Sequence, residues 1–129
     1  MADQLMRLCA LDDLDDPGAQ GYEVGTGAWP LRLFLVRRGD AVWGYVNSCP
    51  HAGHPLNWLP NRFLSPDLNL IQCASHGARF EFETGLCVLG PCPGRSLTAI
   101  PLHRKGAEIH ISSDTVEQLK PRSAAQPGH

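Results

Sequence analysis

Two short segments, Cys49-Pro50-His51 and Cys73-Ala74-Ser75-His76, constrain this chain more than anything else in it. Each pairs a thiol with an imidazole, each is followed within two residues by a glycine (Gly53, Gly77), and each comes shortly after a stretch that reads as a strand, AVWGYVN or NLIQ. A sheet that releases two such loops from its strand ends can bring four donors to one point. Two thiolates and two imidazoles suit either a tetrahedral zinc ion or a [2Fe-2S] cluster with two Cys on one iron and two His on the other. Zinc fingers usually pair like with like, whereas here each loop mixes one Cys with one His. A one-residue gap between Cys49 and His51 makes it hard for both to reach a single ion. Two irons that sit apart accept that splay, each loop giving its Cys to one and its His to the other.

The pattern resembles that of Rieske-type [2Fe-2S] proteins, in which C-x-H-x-G and C-x-x-H-G are followed by an aromatic three positions after the second glycine. Here it reads CPHAG and CASHGARF, separated by a spacer. Thr84-Gly85 is similar to the family's T-G turn, and Gly90-Pro91-Cys92-Pro93-Gly94 to its proline-containing third loop. LMRLCALDDL and GAEIHIS look like the first and last strands of the soluble ferredoxins of bacterial ring-hydroxylating dioxygenase systems, so the resemblance covers roughly residues 5–112. It implies an all-β fold of small antiparallel sheets with two cluster-binding loops at one end. It further implies a [2Fe-2S] cluster, with Cys49 and Cys73 on the inner iron and His51 and His76 on the outer. High-potential relatives carry a serine directly after the H-G pair and a tyrosine two residues further on; here those positions hold Ala78 and Phe80. Their inter-loop disulfide would need cysteines at His54 and Ser75, so it cannot form in this chain.

Composition agrees with a chain of short strands. Thirteen Gly and eleven Pro in 129 residues favour turns over long helices. Eleven Lys and Arg against thirteen Asp and Glu leave a net charge of -2, which gives no basic excess for nucleic acid or an anionic membrane. No apolar run approaches the roughly 18 residues of a membrane span, and the opening MADQLMRLCALDDLDD lacks the pattern of a signal peptide. Cytoplasmic residence is expected. An odd count of five cysteines points to metal ligation rather than a disulfide framework.

Residues 31–47 read as a hairpin about Gly39-Asp40, with Phe34, Val36, Trp43 and Tyr45 on one face and Leu33, Leu35 and Val46 on the other, so both faces are expected to be covered. A second hairpin is expected over residues 100–112 about Lys105-Gly106, sending Ile100, Leu102, Ile109 and Ile111 inward and His103, Glu108 and His110 outward. Residues 5–11 and 72–82 supply further strands, and Asp114 is read as the N-cap of a helix ending at Leu119. The Rieske-like domain is therefore set at residues 1–113, with a short helix and a disordered tail over 114–129. The carboxylates of Asp12, Asp13, Asp15 and Asp16 read as a solvated loop. Residues 57–70, longer than the spacer of compact family members, read as an added surface excursion.

Other candidates are weaker. Cys9 reads as a small core residue, and Cys87 and Cys92 as thiols rather than a bridge. His103, Glu108 and His110 mimic a facial triad but lie on the polar side of a terminal hairpin with no pocket. The function implied by the resemblance is one-electron transfer, not catalysis, from a flavin-containing reductase to a terminal oxygenase. Two alternatives stay open: a small subunit of a larger enzyme such as assimilatory nitrite reductase, and a zinc-stabilised interaction module. Docking is expected at the ligand-loop tip, steered by Arg62, Arg79 and Arg95.

Overall fold

The computed structural model describes residues 4–25, 30–48, 63–67, 69–73, 77–90 and 95–119. Three small antiparallel sheets account for nearly all of its regular structure. The terminal sheet joins β1 (Leu5–Ala10), β10 (Glu108–Ser112) and β9 (His103–Lys105), in that order. The central sheet runs β2 (Gly18–Val24), β3 (Leu31–Arg38), β4 (Ala41–Val46) and β8 (Ala99–Ile100). The third sheet runs β5 (Ile71–Gln72), β6 (Arg79–Phe80) and β7 (Cys87–Leu89).

The β3–β4 hairpin turns at Gly39-Asp40, where Gly39 takes a positive φ of 63°, and its register sets Phe34 against Tyr45 and Val36 against Trp43. Alternation along the strands then divides the apolar residues between two cores. Phe34, Val36 and Tyr45 face Phe63, Ile71, Cys73 and Phe80. Leu31, Leu33 and Leu35 face Cys9, Ile100, Ile109 and Ile111 on the other side. The central sheet is thus one wall shared by two cores, as the sequence pattern anticipates.

β2 is not evident in the sequence, since GAQGYEV carries two glycines and two polar residues. Its place is set by its neighbours: it pairs with β3 from Gly18 opposite Arg37 to Val24 opposite Leu31. Gly21 lies opposite Phe34, and a Cβ there would stand 3.2 Å from the Phe63 ring. That ring stacks on Phe34 with centroids 4.5 Å apart and planes 9° from parallel. A larger residue at position 21 would crowd the stack.

Phe63 also corrects the reading of residues 57–70. In the described part of that stretch the chain turns inward, with Phe63 and Ser65 buried. Leu64 bridges Ile71, the Gln72 N–H donates to the Phe63 carbonyl at 2.8 Å, and the Ser65 N–H donates to the Leu70 carbonyl at 2.8 Å. The Asp67 carboxylate closes the turn by accepting from the Ser65 hydroxyl and the Asn69 N–H, which holds its pKa below the usual carboxylate range. Residues 57–62 and 68 lie outside the described residues.

The expected second hairpin is divided between two sheets. Ile100 pairs with Gly44 in the central sheet, and the chain crosses to the terminal sheet before β9. The turn falls one residue later than expected, at Gly106-Ala107, with Lys105 opposite Glu108 and His103 opposite His110. Gly106 opens it at φ 59°, a conformation that glycine adopts without steric cost. Ile100, Ile109 and Ile111 point inward and His103 and Glu108 outward, as expected, but His110 is buried. β10 is the middle strand of its sheet, and β1 lies across from His110 at Arg7.

Helix α1 (Ser113–Leu119) inserts Val116 into the core that contains Ile109 and Ile111. Its N-terminal N–H groups find the Ser112 hydroxyl, which accepts from the Thr115 N–H at 3.4 Å, so Ser112 is the cap and Asp114 sits in the first turn. The tail 120–129 lies outside the described residues. The acidic cluster is exposed, yet two of its members hold backbone: Asp13 accepts from the Ala10 N–H and Asp16 from the Gly39 N–H.

Truncating the stacked ring, Phe63→Ala, is expected to cost about 3–5 kcal/mol, read as a lowered midpoint in chemical denaturation. A second expectation follows from Tyr45, whose hydroxyl donates to the Phe82 carbonyl at 2.5 Å and whose pKa is pushed up to about 12 by burial and by Glu83 and Glu81. A raised folded-state value stabilises fully below the unfolded value of about 10 and loses that contribution as pH climbs toward the folded one. Stability measured from pH 9 to 12 should fall, and Tyr45→Phe should remove this residue's share of the slope.

Candidate metal centre

The third sheet exists to hold a loop. β5 and β6 pair only through Ile71 with Phe80 and Gln72 with Arg79, and residues 73–78 connect them. The Cys73 N–H donates to the Ala78 carbonyl at 2.8 Å and the Gly77 N–H to the Cys73 carbonyl at 3.0 Å. Gly77 closes the loop at φ 72°, which explains the glycine after His76. Cys73 and Ala78 are fully buried, in one core with Tyr45 and Phe80. The first loop follows β4: the Asn47 N–H donates to the Arg32 carbonyl and the Ser48 N–H to the Val46 carbonyl, which fixes the backbone up to the residue before Cys49. Of the four candidate ligands the structure locates Cys73; Cys49, His51 and His76 lie outside the described residues, as do Arg62, His54, Ser75 and Cys92.

Two glycines press the surrounding turns into place. At Gly90, φ 102°, an added Cβ would stand 2.6 Å from the Ala78 Cα, so the backbone that enters the third loop touches the backbone that leaves the second. Residues 91–94 lie outside the described set, and the chain returns with the Arg95 carbonyl accepting from the Cys87 N–H at 2.8 Å. At Gly85, φ 70°, an added Cβ would stand 2.8 Å from the Tyr45 ring. Thr84 beside it donates its hydroxyl to Glu81 and accepts from the Leu86 N–H. The T-G pair is therefore the seat of the third sheet on the central one.

Sequence reasoning missed a brace at the base of this sheet. Arg38, at the end of β3, donates to Glu83 at 2.8 Å and to the Asn69 carbonyl at 2.9 Å, and its guanidinium lies 4.2 Å from the centroid of the Phe82 ring. One side chain ties the central hairpin to both turns of the third sheet. No local pattern marks it, because its partners lie 31 and 45 residues away.

The surroundings of Cys73 fit a bound [2Fe-2S] cluster. A thiolate buried among Ala78, Phe80 and Phe63 would be costly unless a metal shared its charge. Ala78 and Phe80 are buried and bring no hydroxyl toward the loop. Cys87 is buried with its thiol donating to the Leu89 carbonyl at 3.3 Å, and Cys9 sits in the other core, where burial raises its pKa. Among the described residues no three His, Cys, Asp or Glu side chains come together to hold a metal, so His103, Glu108 and His110 do not form a second site. No helix among these residues is long and apolar enough to cross a membrane.

Comparison with known proteins follows the same line. The family model for the Rieske [2Fe-2S] domain matches residues 4–111. No curated protein matches the sequence. Among solved structures, the ferredoxin of carbazole 1,9a-dioxygenase from Nocardioides aromaticivorans IC177 is 26% identical, with TM-score 0.66, over 84% of this chain and 96% of that one. A complex of reduced oxygenase and oxidized ferredoxin in carbazole 1,9a-dioxygenase contains a chain 24% identical, with TM-score 0.63, over 81% of this chain and 97% of that one. A putative NADH-dependent nitrite reductase small subunit from Mycobacterium tuberculosis shares the fold at 19% identity and TM-score 0.62, over 87% and 96% of the two chains. With a paired-strand loop that buries Cys73 and a family match spanning nearly all the described residues, the chain belongs to the Rieske [2Fe-2S] domain family and its cofactor is a [2Fe-2S] cluster.

Proposed function

We propose that this chain is a one-electron carrier, held by Cys49 and Cys73 to the inner iron of its cluster and by His51 and His76 to the outer. When bound, the cluster accepts and returns a single electron. The chain's own part is to bury Cys73 and to close the ends of its loop by backbone hydrogen bonds. The observation that carries the reading is the match in extent: this chain spans 96% of a carbazole dioxygenase ferredoxin, with Cys73 buried in a closed loop between paired strands. By the same likeness the donor is a flavin-containing reductase and the acceptor a ring-hydroxylating oxygenase. We place the cluster domain at residues 1–113, with a short helix and a disordered tail over 114–129, and the protein in the cytoplasm, where the reductase and oxygenase implied by the likeness would meet it.

Purified protein should contain two irons and two acid-labile sulfides per chain, and Cys73→Ser should lose the visible absorbance. One zinc and no sulfide would support the interaction-module alternative instead. Co-purification in a fixed ratio with a large reductase subunit would support the small-subunit alternative.

The midpoint potential should lie in the lower part of the Rieske span of about -150 to +300 mV, since Ala78 and Phe80 offer no hydroxyl donors. A donor to sulfur stabilises the more negative reduced state. A net hydrogen bond of roughly 0.5–1.5 kcal/mol corresponds to roughly 20–60 mV for one electron. Voltammetry of Ala78→Ser and of Phe80→Tyr should show upward shifts of that order. A wild-type potential near the top of the span would overturn the reasoning.

A further inference from the structure

Large apolar side chains exposed to water are few among the described residues, and three of the four lie together. Leu86, Val88 and Leu89 are 37, 41 and 53% exposed, while the fourth, Leu5, belongs to the terminal sheet. β7 shows two of them side by side because its pairing slips. Phe80 faces Cys87 and Arg79 faces Leu89, so one step along β6 is matched by two along β7. Such a bulge re-aims side chains; here Cys87 stays in the core while Val88 and Leu89 both turn outward. The bulge ends at Gly90, whose backbone touches Ala78 in the loop that carries Cys73. The apolar pair therefore adjoins the metal centre.

Cations flank the pair. Arg79 stands across from Leu89 in the ladder, and Arg95, exposed, returns beside Cys87. Asp67, a carboxylate within the field of Arg79, is held in its own turn by Ser65 and Asn69. A contiguous apolar spot with arginines at its edge has the composition of an interface centre and rim. We propose that the bulge at Val88 and Leu89 is the docking face for the electron donor, a flavin-containing reductase whose contact surface is apolar at its centre and rimmed by carboxylates. This rests on the electron-carrier reading above. Apolar contact excludes water between the two redox centres, and the arginines steer the encounter. A weak redox contact, under about 1,200 Å² in total, needs no larger anchor.

The test uses the intact, cluster-loaded protein and a purified NADH-dependent flavin reductase of a ring-hydroxylating oxygenase system as donor, followed by stopped-flow at two salt concentrations. Leu89→Asp and Val88→Asp remove apolar contact and add repulsion. Leu5→Asp makes the same chemical change on the terminal sheet, and Arg95→Glu reverses a rim charge. Visible absorbance, midpoint potential and the rate of reduction by dithionite confirm that each variant is loaded and intact. The second-order rate should fall at least tenfold for Leu89→Asp and stay within twofold of wild type for Leu5→Asp. Arg95→Glu should lose the decline of rate with salt. Equal rates for the Leu89 and Leu5 variants, or a wild-type rate that rises with salt, would overturn the docking face and leave the carrier reading intact. Wild-type protein that dithionite reduces but the reductase does not would overturn the carrier reading, and the docking face with it.

Discussion

Among the described residues, both cores rest on one ladder of two strands covered on both sides. β3 and β4 lie in the middle of the central sheet, and the alternation of Phe34, Val36 and Tyr45 with Leu33 and Leu35 assigns each side to its own core. A chain of this size has little apolar surface to spend, and sharing one wall lets both cores close. The side of Leu33 and Leu35 secures the termini through β1, β10 and α1. The side of Phe34 and Tyr45 secures the strands that frame the metal centre. The strands of the third sheet, two or three residues each, would not persist without that support.

Close backbone approach then does what long strands cannot. Gly90 rests on Ala78 and Gly85 on the Tyr45 ring, and neither contact leaves room for a Cβ. The two ends of the loop, at Cys73 and at Gly77-Ala78, are set by the β5–β6 pairing below them, the Cys73 to Ala78 hydrogen bond between them and the Gly90 backbone against Ala78. The burial of Cys73 follows from this packing, while the absence of hydroxyls beside it follows from the residues themselves, Ala78 and Phe80.

Much of this was legible in the residues. The period-two pattern of LRLFLVRR and AVWGYVN identified both faces of the central hairpin, because each face meets its own core. The C-x-H and C-x-x-H loops pointed to the metal centre, of which the structure places Cys73. What could not be read was whatever depends on partners distant in sequence. β2 has a poor strand composition and owes its place to pairing with β3. Phe63 falls in a stretch that reads as a surface excursion, and its stacking site is made by Gly21 and Phe34, both distant in sequence. The second hairpin is divided because Ile100 pairs with Gly44 rather than with β10, a partner that no window of ten residues contains.

Arg38 carries a consequence for the electron itself. By holding Glu83, the Asn69 carbonyl and the Phe82 ring at once, it fastens the base of the third sheet to the central hairpin, while Tyr45 fastens the same sheet through the Phe82 carbonyl. The loop bearing Cys73 is thus mounted on a frame whose dipoles are set before any charge arrives. Where a cluster held there takes up one electron, a frame fixed in this way would leave the protein around Cys73 little to rearrange.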